Sequence, residues 1–329
     1  MKSNAKKFMK KSVLFITAAM LAAIMMLSMT ACSEQVPLIG INQYGEHPSL
    51  DNCREGFLAG LAEAGLEEGK DYVIDYQNAG FDDNIASQIG QNFASKNAKL
   101  MVGIATNSAT SCYAAAEDKN IPVVFCAVTD PIQAKLDKGN ITGTSDKLAI
   151  EDQLKLIRAL QPDADTIGIL YTLSEPNSVS AIAEYEQLAP QYGFTIVKKG
   201  VTAQAEVTLA ADALIQEKVD CFNNLTDNNV VGVLPSILEK TIEAGIPVYG
   251  SEIEQVKIGC IASQGIDYVK LGRQTGAIAA KILKGEATAE ELPYETISEY
   301  ELYINTKAAA EMQVTIPAEL LEKAQDVAE

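Results

Sequence analysis

The chain is expected to fold as an α/β protein with two doubly wound, Rossmann-like lobes of parallel sheet and a ligand cleft between them. Three observations carry this. After residue 36, short β-branched runs alternate with helical patterns, as parallel βαβ units require. The same order of elements then recurs at an offset of about 120–130 residues, which is the size of one α/β module. Each apolar strand ends in a polar cluster, where open parallel sheets place their ligands. Composition agrees: 329 residues with 47% apolar side chains can bury two ordinary cores, and disorder is excluded as the main state. One continuous sheet of eight or more strands remains the other arrangement the pattern allows.

Residues 1–31 read as an address. Lys2, Lys6, Lys7, Lys10 and Lys11 form a basic start, and Ser12 to Leu27 is a short apolar run. Small residues, Thr30-Ala31, then precede Cys32, as in a bacterial lipobox, which implies cleavage before Cys32 and a lipid on its sulfur. An uncleaved membrane anchor is the alternative, though the run is short for a span. Removing 1–31 takes away five lysines and no acid, so the formal charge falls from −18 to −23. So acidic a body is a poor partner for nucleic acid phosphates.

Strands are expected at Pro37 to Asn42, Tyr72 to Gln77, Leu100 to Ala105 and Pro122 to Val128. Helical patterns separate them at Leu50 to Ala64, Asn84 to Ser95 and Ser108 to Asp118. The second half answers with strands at Thr166 to Tyr171, Thr195 to Lys199, Val219 to Leu225 and Pro247 to Ser251. Its helices fall near Ser178 to Tyr192, Ala205 to Gln216 and Val230 to Ala244. Residues 262–285 read as a strand end, a turn and an amphipathic helix that returns the chain to the first lobe. Tyr300 to Ile304 adds a strand, and Pro317 to Ala328 a terminal helix. The expected division is thus a signal peptide at 1–31, an N-terminal lobe of 32–145 plus 262–292, and a C-terminal lobe of 146–261 plus 293–329.

Candidate binding residues are the polar ones at the strand ends. In the first lobe they are Tyr44, His47, Thr106, Asn107, Ser108 and Asp130; in the second, Glu175, Asn177, Ser178, Asp227 and Asn228. Thr106 to Ser108 open a helix and can hold a carboxylate on backbone N–H groups, or simply cap that helix. Asp130 and Asp227 occupy matching strand ends, where either could meet an ammonium; Asp227 is equally placed to cap the helix after it. Tyr44, Phe81, Tyr113 and Tyr171 could wall an aromatic side chain. The three arginines, Arg54, Arg158 and Arg273, all fall in helix patterns, so a zwitterion suits the cleft better than a dianion.

Several classes lack their parts. His47 is the single histidine, and no nucleophile motif accompanies it. No phosphate-binding glycine loop occurs, and the five cysteines after Cys32 have no metal-like spacing, so buried free thiols and no cofactor or metal are expected. Reversible capture fits better than catalysis.

Seven stretches together resemble the substrate-binding lipoproteins of bacterial ABC importers, in particular the tryptophan- and tyrosine-binding group. They are EHPSLD at 46–51, EGKDYVIDYQNA at 68–79, VGIAT at 102–106, AVTDP at 127–131, SEPNS at 174–178, LTDNN at 225–229 and ASQGIDYVKLGRQTG at 262–276. The resemblance implies the type 1 periplasmic binding protein fold, with a three-crossing hinge. It also implies an aromatic amino acid or related zwitterion held between the lobes, and delivery to a membrane permease. It adds Ser263 to the site, through the SQG at 263–265, and implies a monomeric, exported protein anchored by Cys32. An exported enzyme, or a sensor domain using the same cleft, is the alternative.

Overall fold

The computed structural model describes residues 36–297 and 299–328; the expected signal segment and Cys32 lie outside them. In chain order, the first lobe contains β1 (Leu38–Gln43), α1 (Pro48–Glu63), β2 (Val73–Asn78), α2 (Asp83–Ser95), β3 (Leu100–Ile104), α3 (Thr106–Ala116), β4 (Val123–Cys126) and β5 (Ile141–Ser145). The chain then crosses to α4 (Ile150–Leu160), β6 (Thr166–Thr172), α5 (Pro176–Leu188), β7 (Thr195–Val201), α6 (Val207–Gln216), β8 (Cys221–Asn223), α7 (Asn228–Val231), α8 (Leu234–Ala244), β9 (Val248–Tyr249), α9 (Ile253–Lys257) and β10 (Ala262–Gly265). It returns with α10 (Tyr268–Leu283) and β11 (Glu295–Thr296). The last elements are β12 (Glu301–Ile304), α11 (Thr306–Glu311), α12 (Ala318–Leu321) and β13 (Gln325–Asp326).

The sheets settle the architecture as two units rather than one continuous sheet. One has the order β11-β5-β4-β3-β1-β2, a second β7-β6-β8-β9, and a third β10-β12-β13. The pairs in the first two are parallel. The third abuts the second, since Ile261 donates to the Val248 carbonyl and Gly250 to that of Ala262. β3 and β4 are buried throughout, which is why LMVGI and VVFC are unbroken apolar runs, with Gly103 admitting the α3 backbone. Each buried Leu, Ile, Val or Phe contributes about 1.5–3 kcal/mol through water release.

Sheet membership moves two expected boundaries. β10 pairs with β12, so 262–265 stay with the second lobe, and the return crossing lies between Gly265 and Tyr268. β11 pairs with β5, so Glu295 and Thr296 belong to the first lobe. Three crossings therefore join the lobes. The expected helix at Val230 to Ala244 is two helices broken at Gly232-Val233, with Pro235 in the first turn of α8. The expected terminal helix is the single turn of α12, after which β13 pairs with β12. β5 and α4 were not anticipated.

α1 and α10 meet along glycine. A methyl group on Gly56, Gly60, Gly272 or Gly276 would lie 2.3 Å from a backbone oxygen of the other helix. The two i, i+4 glycine pairs thus put backbone against backbone, with no side chain between. Both helices begin at the cleft, so this seam fixes one wall of it.

Candidate functional site

Three helices start at one cavity without a side-chain cap. α1 has His47 before it, α3 has Ala105 and α5 has Glu175, and none of these side chains caps a backbone N–H of the helix it precedes. By contrast Asp82, Asp227, Glu252 and Asp267 cap their own helices. Uncapped starts leave backbone N–H groups and the positive end of the helix dipole free for an anion. The cavity is lined by His47, Ser49, Leu50, Ala105 and Thr106 from these first-lobe helix starts, and by Asn177 from α5. Thr226, Asn228, Val231 and Gln255 complete the second-lobe side; Ala127, Thr129, Asp146 and Tyr268 complete the first-lobe and hinge side.

Two lining residues hold strained backbone. Ala105 (φ 75°) and Ala127 (φ 59°) stand in the left-handed region just after β3 and β4. L-residues there cost about 1–3 kcal/mol, and such strain collects at ligand sites. In Ala105 it turns the chain so that α3 starts at the cavity.

Buried polar atoms without a partner converge here. His47 Nδ1, Thr106 Oγ1 and Asn177 Oδ1 are buried and unbonded, and all three residues line the cavity. His47 Nε2 lies 3.2 Å from Asn228 Oδ1, while Asn228 Nδ2 donates to Glu175, so the ring carries its proton on Nε2 and Nδ1 is an acceptor. Burial pushes the His47 pKa down to about 4, so the ring is neutral, and Phe81 stacks parallel to it at 6.4 Å. Such orphaned groups cost about 1–3 kcal/mol each unless a ligand or water meets them.

Asp146 is the one carboxylate that lines the cavity. It sits one residue past β5, almost fully buried, where Thr129 Oγ1 donates to one oxygen (2.9 Å) and Tyr268 OH to the other (2.7 Å). Both donors are neutral hydroxyls; burial raises its pKa, and these two bonds pull it back. No arginine or lysine lines the cavity. Arg54 pairs with Asp51, Arg158 holds the carbonyls of Pro162, Tyr192 and Gly193, and Arg273 meets Glu63.

The other expected site residues serve the frame. Both Asp227 oxygens are taken: Oδ1 accepts from Thr172 Oγ1 (2.8 Å) and Val230 N (3.1 Å), Oδ2 from Thr172 N (2.6 Å) and Ser178 Oγ (2.7 Å). The capping alternative is therefore the one its geometry fits, and Ser178 is occupied with it. Asp130 lies outside the cavity and accepts from Gln133 N and from Ser180 Oγ across the lobes. Glu175 accepts five bonds from Asn177, Asn228 and Asn229; burial and the nearby Asp227 push its pKa up to about 8. Tyr44 donates to Asp83, Asn107 bonds Tyr44 and Asp83, and Ser108 donates to Asn42. Ser263 Oγ is buried and unpaired but does not line the cavity. Tyr44, Phe81, Tyr113 and Tyr171 do not wall it; Tyr268 is its aromatic residue.

Direct bonds close the lobes on each other. Ser49 donates to Glu252 (3.2 Å), Asn52 to Glu254 (3.0 Å), Asn107 to the Ser174 carbonyl (3.4 Å) and Ser180 to Asp130 (2.7 Å), beside the His47–Asn228 contact. The enclosed part of the cavity is about 20 Å³, room for about one water, whereas the space between protein atoms is about 330 Å³ once its solvent-open margins are counted. The enclosed space is therefore smaller than an amino acid, with the two lobes in direct contact around it. Among the described residues the five cysteines are free and buried, and no cluster of side chains suits a metal ion.

Two parallel-sheet lobes, three crossings and an enclosed cavity lined by unpaired polar atoms from both sides define a bilobal solute-binding protein. The chain belongs to the ABC transporter substrate binding protein family, whose model matches residues 38–328. It is 38% identical over 283 residues to a tyrosine-binding protein of Clostridioides difficile, covering 84% of this chain and 81% of that one. A Streptococcus pneumoniae domain solved with L-Trp superposes with a TM-score of 0.84 at 33% identity, covering 88% of this chain and 99% of that one. A ligand-free, open substrate binding protein with adhesive properties, from Clostridium difficile, gives 0.66 at 34% identity, over 89% of this chain and 99% of that one. The type 1 periplasmic binding protein fold expected from the sequence is the fold observed.

Proposed function

We propose that this substrate-binding protein captures an aromatic amino acid, tyrosine or tryptophan, between its lobes and presents it to an ABC permease. The observation that carries this is the cavity's polarity. The cavity offers uncapped helix starts to an anionic group, a carboxylate and the unpaired acceptors His47 Nδ1 and Asn177 Oδ1 to donor groups, and apolar surface from Leu50, Ala127, Val231 and Tyr268. The names of the relatives point to the same ligand class. The better superposition on the tryptophan complex than on the open protein, at nearly equal identity, supports reading this arrangement as a closed one. Export and anchoring through a lipid on Cys32 complete the proposal, since an importer's binding protein works outside the membrane; among the described residues no helix is long and apolar enough to span it. The protein returns its ligand unchanged.

Isothermal titration of the purified protein with L-tyrosine, L-tryptophan, L-phenylalanine, L-leucine and myo-inositol tests the ligand class. Saturable binding of one or more aromatic amino acids, with leucine and inositol at least a hundredfold weaker, is expected. Tight inositol binding without aromatic binding would overturn it.

A further inference from the structure

We infer that Asp146, at the hinge end of β5, is the residue that receives the ligand's ammonium group, and that the start of α3 with Thr106 receives its carboxylate. The inference rests on the amino-acid reading and goes beyond it by assigning each charge to a side chain. Three facts converge on Asp146. It alone brings a carboxylate to the cavity, where no cation of the protein accompanies it. Its two side-chain donors, Thr129 and Tyr268, use one position on each oxygen, and an ionised carboxylate has about four acceptor positions. Its competitors are committed: Asp227 accepts four bonds and Asp130 bridges the lobes to Ser180. Thr106 supplies the opposite pole, because its buried Oγ1 is unpaired and its helix lacks a cap. Both poles stand on residues that follow first-lobe strands, so the zwitterionic end would be read by the first lobe and the hinge. The second lobe, through Asn177, Asn228, Val231 and Gln255, is left to close over the remainder of the ligand.

Location at the hinge adds a consequence. Asp146 lies in the first crossing, and Tyr268, its donor, opens α10 directly after the second. An ammonium drawn to this carboxylate therefore ties both crossings to the occupied cavity, and an analogue without it would leave the carboxylate buried and uncompensated.

The test compares ligands as well as proteins. Wild type and Asp146→Asn are titrated with L-tyrosine and with 3-(4-hydroxyphenyl)propanoate, which lacks only the amino group; L-tryptophan and 3-indolepropanoate serve if tyrosine is not the aromatic ligand bound. Wild type should prefer the amino acid by at least about thirtyfold. Asp146→Asn should lose about 30- to 5,000-fold for the amino acid and less than about threefold for the propanoate, so the preference collapses. Equal loss for both ligands would make Asp146 a structural residue and overturn the inference. Wild-type protein that binds amino acid and propanoate equally would overturn it too, without any variant and even if Asp146→Asn fails to fold. Wild type that binds no aromatic amino acid refutes the ligand class first, and this assignment with it.

Discussion

Replacing Asp227 by alanine separates a frame residue from a ligand residue. The side chain is fully buried and accepts from Thr172 N, Thr172 Oγ1, Val230 N and Ser178 Oγ at 2.6–3.1 Å. Losing an ordinary helix cap costs about 1 kcal/mol. Here the loss is larger, because four donors are stranded, at least two of them backbone groups that cannot turn away. Each bond to a charged group is worth about 1.5–3 kcal/mol, partly recovered where water enters the space, so the sum is about 3–5 kcal/mol rather than four times the unit. At about 2–4 °C per kcal/mol, the second lobe should melt roughly 10 °C lower. Urea unfolding followed by far-ultraviolet circular dichroism gives the stability, and titration at 15 °C gives the affinity of the variant that remains folded. Ligand affinity should change by less than about threefold. A stable variant that has lost its affinity a hundredfold would refute the reasoning and return Asp227 to the binding site.

Stability should respond to pH in an unusual direction. Burial holds Glu175 up at about 8 and Glu252 up at about 7, against an ordinary 4.5, so the folded state keeps protons that the unfolded chain has released. Their contribution is full below pH 4.5 and is lost as pH rises through 7 to 8, so the urea-derived stability should fall by about 1–2 kcal/mol between pH 6.5 and 8. His47, held down at about 4, acts in the opposite sense, mostly below pH 6.5, and offsets only about 0.4 kcal/mol in that window; a flat or rising profile there would contradict the assignment. Gly272→Ala, which on a free helix face would stabilise by about 1 kcal/mol, should instead destabilise by about 1–3 kcal/mol, since its methyl meets the Cys53 carbonyl oxygen at 2.3 Å. An unchanged urea midpoint would mean that the α1–α10 seam yields easily. Cys32→Ala should move the protein from the membrane fraction to the exported soluble fraction, as cell fractionation would report.

What could be read from the sequence, and what could not, follows physical lines. Fully buried parallel strands announce themselves, and LMVGI, VVFC and TIGILYT were placed within a few residues. β5 escaped because ITGTS is buried through Thr142, Thr144 and Ser145 rather than through aliphatic side chains; Thr144 bonds Thr275 of α10, a partner 131 residues away. Missing β5 meant missing Asp146, which is conspicuous only once a strand is known to end beside it. α4 reads as an amphipathic helix, but it lies at the crossing, where the repeat of two equal modules offers no counterpart. His47, Thr106, Asn177 and Asn228, which line the cavity, are legible as polar residues at strand ends, where helix starts gather. Asp227 was equally visible, yet its fate depended on Thr172 and Ser178, distant in sequence and brought to it only by the fold.

The glycine seam between α1 and α10 bears on how such a receptor can change its ligand. Helices separated by side chains slide when those side chains are exchanged, and a new ligand specificity then comes with a new hinge. Two helices locked backbone to backbone have no such slack, so His47 and Ser49 at one start and Tyr268 at the other keep their spacing whatever is substituted nearby. The frame of that wall is thereby insulated from the chemistry of recognition. Residues facing the cavity, such as Leu50 and Val231, can then be exchanged while the two helix starts hold the same wall in place.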